Sequence, residues 1–448
     1  MFLINKNKRR HLFYISKIYM SYVEYVDPYY RRLVLSGQYP NPYCYPYFTP
    51  FFFPNISSAP NLSNQDCDNI SIRSLWDNYY CYDRINIYDI ASNLCYNAPE
   101  PCNAKYDYYY YDRIPYQDPS VVMGFTVQYL VSNVLNLAIN PDPNLLDPWG
   151  IIIVNDIVWV ANAGSGLITR YDLLGRRLLP VVNVFGPNNN IAQPTGIDSN
   201  DDLSAFIMVN GPITGPSLIL TATRDGTING YNFDIDHDNS ILLIDNSKKN
   251  SVYTGLAVAC SVLYVADFYN QKIDVYDKNL KKISDCDFVD ECYKDPIPKD
   301  YAPYNIINIG DLLYVTYAKQ SPLDNQYPLC GRGFGYVNIF NLRGKFVRRF
   351  ASCGTLNVPW GLSCAPSWFS YPPGSIMVAN FGDGKINIFD HDGKCLGNLH
   401  DEFYNEICLE GLRGITVNPN YDRILYWTEN ANNLRESFMG TINTRILV

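Results

Sequence analysis

Six times between residues 149 and 414 the chain opens an apolar run on a dipeptide that ends in glycine or asparagine. The openings are Trp149-Gly150, Thr195-Gly196, Thr254-Gly255, Tyr304-Asn305, Trp360-Gly361 and Arg413-Gly414, at spacings of 46, 59, 50, 56 and 53 residues. A second apolar run follows each opening: IVWVAN, SLILTAT, VLYVAD, LLYVTYAK, SIMVAN and ILYWTEN. After a polar turn comes a third: LITRYD, TINGYNFD, KIDVYD, YVNIFN, KINIFD and FMGTIN. Most copies add a fourth, as in RRLLPVVNVF, KKISD and KFVRRF. A unit of four short strands has two faces to bury and buries them by stacking on copies of itself. Six such units predict an all-β chain, a six-bladed β-propeller.

The sixth copy runs out of chain after its third strand, whereas FTVQYLVSN at 125–133 precedes the first copy and has no blade of its own. This spare strand is predicted to join the last blade and close the ring, which removes the exposed sheet edges of an open array. Residues 121–448 then form the propeller. Trp149 and Trp360 hold equivalent places in the first and fifth copies and are expected to pack between neighbouring blades.

Residues 1–120 have a different chemistry. They hold 21 of the 39 tyrosines and 11 of the 29 prolines but one of the 28 glycines, Gly37. Proline interrupts stretches such as NPYCYPYFTPFFFP too often for central strands. The segment reads as an extended Tyr/Pro-rich N-terminal arm. It is too aromatic to resemble a solvated, highly charged disordered chain, and it is expected to bind a protein partner. Lys6, Lys8, Arg9 and Arg10 form a basic cluster that reads as a solvated tail. Asn55, Asn61 and Asn69 each begin an Asn-x-Ser triplet, relevant as glycosylation acceptors only in a secretory pathway.

Several function classes are disfavoured. A net charge of −9 argues against general nucleic-acid affinity. No run of eighteen apolar residues predicts a transmembrane helix, and the polar, aromatic start is a poor signal peptide. Thirteen scattered cysteines contain no Cys-x-x-Cys pair, and four histidines are too few for a His-rich metal centre.

Antiparallel pairing places the end of each second strand beside the start of the first. The residues closing the second strands are therefore expected around the channel rim: Asn162, Asp225, Asp267, Lys319, Asn380 with Asp383, and Glu429 with Asn430. Carboxylates and amides in a ring suit a hard cation such as calcium. The same residue types also close strands because they suit tight turns, and Lys319 subtracts from a cation site. His237, His391 and His400 follow outer strands, and GRGFG at 331–335 joins strands with no helix after it, unlike a phosphate loop.

DPNLLDPWGI, TRDGTINGYN, YAPYNIINIGDLLYVTYAKQ, GFGYVNIFNLRGKFVRRFAS and MVANFGDGKINIFD resemble an uncharacterised family of bacterial propeller proteins, often secreted or surface-associated. The resemblance covers roughly residues 125–448, and the arm is expected to have no counterpart in that family. More distantly the chain is similar to NHL-repeat and gluconolactonase-like propellers, in which a metal near the channel polarises a lactone. The richness in Asn, Tyr and Ile suits an AT-rich genome, such as that of a large DNA virus. Two readings stand. In one, a noncatalytic binding or structural propeller with no cofactor is anchored by its arm in an assembly such as a virus particle or cell surface. In the other, a calcium-dependent, lactonase-like hydrolase works at the channel mouth.

Overall fold

The computed structural model describes residues 124–444 apart from 287, 291–294, 353, 419–420 and 433–434. The arm expected over residues 1–120 lies outside the described residues.

A first strand, β1 (Phe125–Ser132), is followed by the two-residue β2 (Asn140–Pro141). Blade 1 comprises β3 (Pro148–Val154), β4 (Ile157–Asn162), β5 (Leu167–Tyr171) and β6 (Arg177–Asn183). Blade 2 begins with β7 (Pro194–Ser199). It inserts the hairpin of β8 (Ile207–Asn210) and β9 (Ile213–Pro216), then continues with β10 (Ile219–Thr223), β11 (Thr227–Tyr231) and β12 (Ile241–Asp245). Blade 3 is β13 (Tyr253–Ala259), β14 (Val262–Asp267), β15 (Lys272–Tyr276) and β16 (Lys282–Ile283). Blade 4 is β17 (Tyr301–Ile309), β18 (Leu312–Lys319), β19 (Gly335–Asn341) and β20 (Phe346–Ser352). Blade 5 is β21 (Pro359–Cys364), β22 (Ile376–Asn380), β23 (Ile386–Phe389) and β24 (Cys395–Asn398). Blade 6 is β25 (Ile415–Asn418), β26 (Tyr421–Ala431) and β27 (Glu436–Thr444).

Each blade is an antiparallel meander, and the fourth strand of blade 6 is β1, paired with β27 from Phe125–Thr444 to Ser132–Phe438. β2 adds a parallel fifth strand outside it. The innermost strands touch in the cyclic order β3, β7, β13, β17, β21, β25 and back to β3. The fold is a closed six-bladed β-propeller.

Burial explains the sequence pattern. A blade is covered on both faces by its neighbours, so inner strands read as continuous apolar runs rather than alternating ones; all but the first residue of β4 are buried. Six apolar clusters fill the six gaps between blades. Trp159, Ile168 and Val182 of blade 1, for instance, meet Ile197, Ile219 and Tyr231 of blade 2. Across the closure, Leu130 and Val131 of β1 join Met439, Ile151 and Tyr171. Outermost strands lack this cover: β12 and β24 are mainly exposed or half-buried. Their weak pattern hides them in the sequence, and the β8–β9 hairpin accounts for the long second spacing.

The glycine of each opening has a steric cause. A Cβ on Gly196 would stand 2.5 Å from the Leu256 nitrogen of blade 3, and one on Gly414 would stand 2.5 Å from the Trp149 carbonyl oxygen of blade 1. Inner strands of adjacent blades approach too closely here for any side chain. In blade 4 Asn305 replaces glycine, and its amide donates to the Trp360 carbonyl of blade 5 at 2.9 Å.

Candidate functional site

Trp149 and Trp360 do not pack between neighbouring blades. Their rings turn to the propeller axis and meet edge to face, with centroids 5.9 Å apart. Tyr304 of blade 4 joins Trp149 of the opposite blade 1 at 6.1 Å, and Phe268 of blade 3 packs on Tyr304 at 4.9 Å. The Trp360 indole N–H reaches across to the Thr254 carbonyl of blade 3 at 2.9 Å. Contacts between non-adjacent blades form only across the axis, so these buried rings plug the channel at the end where the inner strands start. The physical reason is room: backbone of the next blade crowds the flank at Gly150 and Gly361, which leaves the axis as the open space for the rings.

Around the plug, Arg413 lies over the Trp149 ring at 4.1 Å and over Phe381 at 4.8 Å, and it pairs with Asp147. Asp147 also accepts from the Trp149 indole at 3.2 Å and the Asn430 amide at 2.7 Å. Burial pushes the Asp147 carboxyl up. Arg413 and these donors outweigh it, and the net shift is downward.

The eight rim candidates lie at this end of the inner strands, and most turn into their own blade. The Asn162 amide donates to the carbonyls of Val160 and Leu167 and to Thr169 Oγ1. Asp267 is fully buried and accepts from the Val252 N–H and the Asn270 amide; burial raises its carboxyl, with those bonds opposing. Asp225 accepts from the Gln193 N–H. Lys319 pairs with Asp300 at 3.1 Å and lies over the Phe334 ring. Asn380 donates to the Thr355 carbonyl and to Asp383, which brings those two together at 3.0 Å. Asn430 faces Asp147, as above. Glu429 is 3% exposed, and its Oε2 has no hydrogen-bond partner among the described residues. Burial, with the nearby Glu410, pushes its carboxyl up to about 8. Among the described residues no three His, Cys, Asp or Glu side chains cluster so as to hold a metal ion. No described helix is long and apolar enough to cross a membrane.

Beneath the plug lies a cavity of about 440 Å³ bounded by the inner strands of all six blades, with Trp360 in its wall. Its far end, at Val154, Ser199, Asn308 and Val417, is half-exposed. The exposed wall is polar and apolar in nearly equal parts, because the inner strands present backbone edges to the axis while most of their aliphatic side chains pack between blades. Asp198 is the one ionisable side chain among the described residues that line it. One Asp198 oxygen accepts from the Ser199 N–H and the other from the Val258 N–H of blade 3, each at 2.8 Å. Burial pushes this carboxyl up to about 6 against those two bonds, and Asp201 adds to the rise. Asp198 escapes a sequence search for rim residues because it sits inside a strand and not at a strand end. The available signal is an acid within PTGIDS, where the first blade has PWGIIIV.

No family model matches the chain. It is 34% identical to uncharacterized protein R640 of Acanthamoeba polyphaga mimivirus over 92% of this chain and 97% of the relative. Uncharacterized proteins R648 and L690 of the same virus are 40% and 38% identical, each over 73% of this chain and over 82% and 88% of the relatives. These relatives are viral, which corrects the expectation of a bacterial family. A 73% match fits within the propeller alone, whereas a 92% match extends well into the first 120 residues. The longer match thus includes part of the segment expected to form the arm. Among solved structures, virginiamycin B lyase from Staphylococcus aureus is 14% identical with a TM-score of 0.43, over 71% of this chain and 99% of that one. A Bacteroides thetaiotaomicron protein of unknown function is 10% identical with a TM-score of 0.47, over 72% and 76%. The fold assignment rests on the strand pairing and not on these likenesses. By its extent of identity to the three viral proteins, the chain belongs to the same family as those mimivirus proteins.

Proposed function

We propose that the protein is a noncatalytic binding propeller whose N-terminal arm joins it to a larger protein assembly, a virus particle. The observation that carries the reading is the plugged axis. Where a rim of converging polar groups would present a reaction centre, Trp149, Tyr304 and Trp360 fill the space. Asn162, Asp267 and Asn380 bond within their own blade or to the segments that enter it. The arm supplies the attachment: tyrosine and phenylalanine give large contact area at low entropy cost and are enriched at interface cores. The match over 92% of this chain supports an arm that accompanies the propeller in a viral relative.

Limited proteolysis of the protein alone and in its native assembly tests this. The arm is expected to be cut rapidly when alone and protected in the assembly. Equal protection in both states would remove the support for attachment through the arm. A calcium-dependent rise in melting temperature together with lactone hydrolysis would replace this reading by the hydrolase one.

A further inference from the structure

The cavity under the plug has the features of a ligand site. Its volume of about 440 Å³ falls within the range of small-molecule pockets. It is closed at one end by the aromatic rings and half-exposed at the other, so a ligand enters and leaves by the same mouth. Ile152, Ile307 and Val417, each half-exposed, give it apolar surface from three blades beside the bare backbone edges. Into this surround the fold sets a single carboxyl. Each of its oxygens accepts from one backbone N–H group, which leaves further lone-pair sites on a carboxylate that can take about four.

An acid drawn partly out of water into a narrow cavity costs stability unless something offsets the desolvation. Asp198 ties blade 2 to blade 3 through the Val258 N–H, but a neutral serine or asparagine could accept that bond without the cost of a charge. A cationic ligand would compensate the charge itself. Among the described residues the innermost strands have no partner strand on the axial side, so backbone carbonyls there are available to further N–H donors. We propose that the cup binds a small organic ammonium compound, its charged head against Asp198 and the backbone carbonyls beside it, and its apolar body against Ile152, Ile307 and Val417. This site is independent of the arm and of the assembly reading.

The probes are three matched compounds, 2-phenylethylamine, 2-phenylethanol and 3-phenylpropionate, titrated calorimetrically into the full-length protein at pH 7.5. The amine is expected to bind, the alcohol at least tenfold more weakly, and the acid not at all. Asp198→Asn keeps an oxygen for the Val258 N–H and is expected to lower amine affinity tenfold or more while leaving the alcohol unchanged. At pH 5 most Asp198 carboxyls carry a proton, with Asp201 the other charged group acting on them, and amine affinity falls by roughly tenfold. Thr416→Phe, placed in the cup wall with Asp198 intact, is expected to block the amine, which keeps the test decisive if the asparagine variant folds poorly. Equal binding of amine and alcohol, preference for the acid, or no binding of the amine to the folded parent would overturn the proposal. None of these outcomes alters the proteolysis result for the arm.

Discussion

Trp149 and Tyr304 belong to opposite blades, and their rings meet at 6.1 Å with planes inclined by 65°. Two blades that share no sheet and no flank are thereby joined through the axis. Replacing Trp149 with alanine removes a ring that is 3% exposed and is expected to cost about 3–5 kcal/mol. A double-mutant cycle with Tyr304→Leu is expected to give a coupling of about 0.5–1.5 kcal/mol, the range for aromatic pairs. Urea unfolding of the four proteins measures both. A loss well under 1 kcal/mol for Trp149→Ala would mean that the plug contributes little to holding the ring.

Glu429 makes stability depend on pH in the alkaline direction. Its carboxyl ionises at about 8 in the fold against an ordinary 4.5, so the folded state holds the proton more tightly. The stabilisation is full below 4.5 and is lost as pH rises through 8. Glu429→Gln is expected to flatten this slope and to exceed the parent at pH 9 by on the order of 3 kcal/mol. Melting temperatures of both proteins at pH 5, 7 and 9 check it. Parallel pH profiles would contradict a protonated Glu429.

Gly196→Ala puts a methyl group against the backbone of blade 3, 2.5 Å from the Leu256 nitrogen. Backbone cannot swing aside as a side-chain end can, and overpacking of this kind costs about 1–3 kcal/mol. By contrast Gly211, whose added Cβ would meet nothing within 4 Å among the described residues, has φ +59, so its alanine variant is strained by backbone conformation alone. The two positions separate crowding from conformational strain. Gly196→Asn, a larger residue, is expected to be worse than Gly196→Ala. Gly211→Asn, which tolerates positive φ, is expected to be better than Gly211→Ala. Chemical denaturation gives all four values.

A protein beginning at residue 121 keeps β1, whereas one beginning at residue 135 lacks it. The first is expected to melt cooperatively. The second exposes the edge of β27 and is expected to aggregate. Light scattering and thermal melts compare them, and identical behaviour would show that pairing between β1 and β27 is dispensable.

The blade count was legible because the same steric demand recurs. In five of six blades the chain carries a glycine where inner strands crowd (Gly150, Gly196, Gly255, Gly361 and Gly414), and Asn305 takes that place in blade 4. Inner strands were legible because two-sided burial makes them continuously apolar. β12 and β24 lie at the periphery, where solvent relaxes the pattern. The site was far less visible. Asn162 and Asn380 have the residue types of a ligand rim, and only side-chain direction shows that they bond into their own blades and the loops beside them. Trp149 and Trp360 could have faced a flank or the axis, a choice made by the opposing blade. Asp198 carries no spacing signal, since a lone acid in a strand acquires its meaning from the five other strands around the cavity.

The pairing of β1 with β27 has a temporal side. The ribosome delivers β1 first and its partner roughly 300 residues later, a wait of about 15–60 s at ordinary elongation rates of about 5–20 residues per second. Through that interval Phe125, Leu130 and Val131, all buried in the finished ring, have no native neighbours from blade 6. Whatever shields them then, a chaperone or a transient contact, governs yield in the cell, and slower translation ahead of residue 436 lengthens the hazard without changing a single native contact.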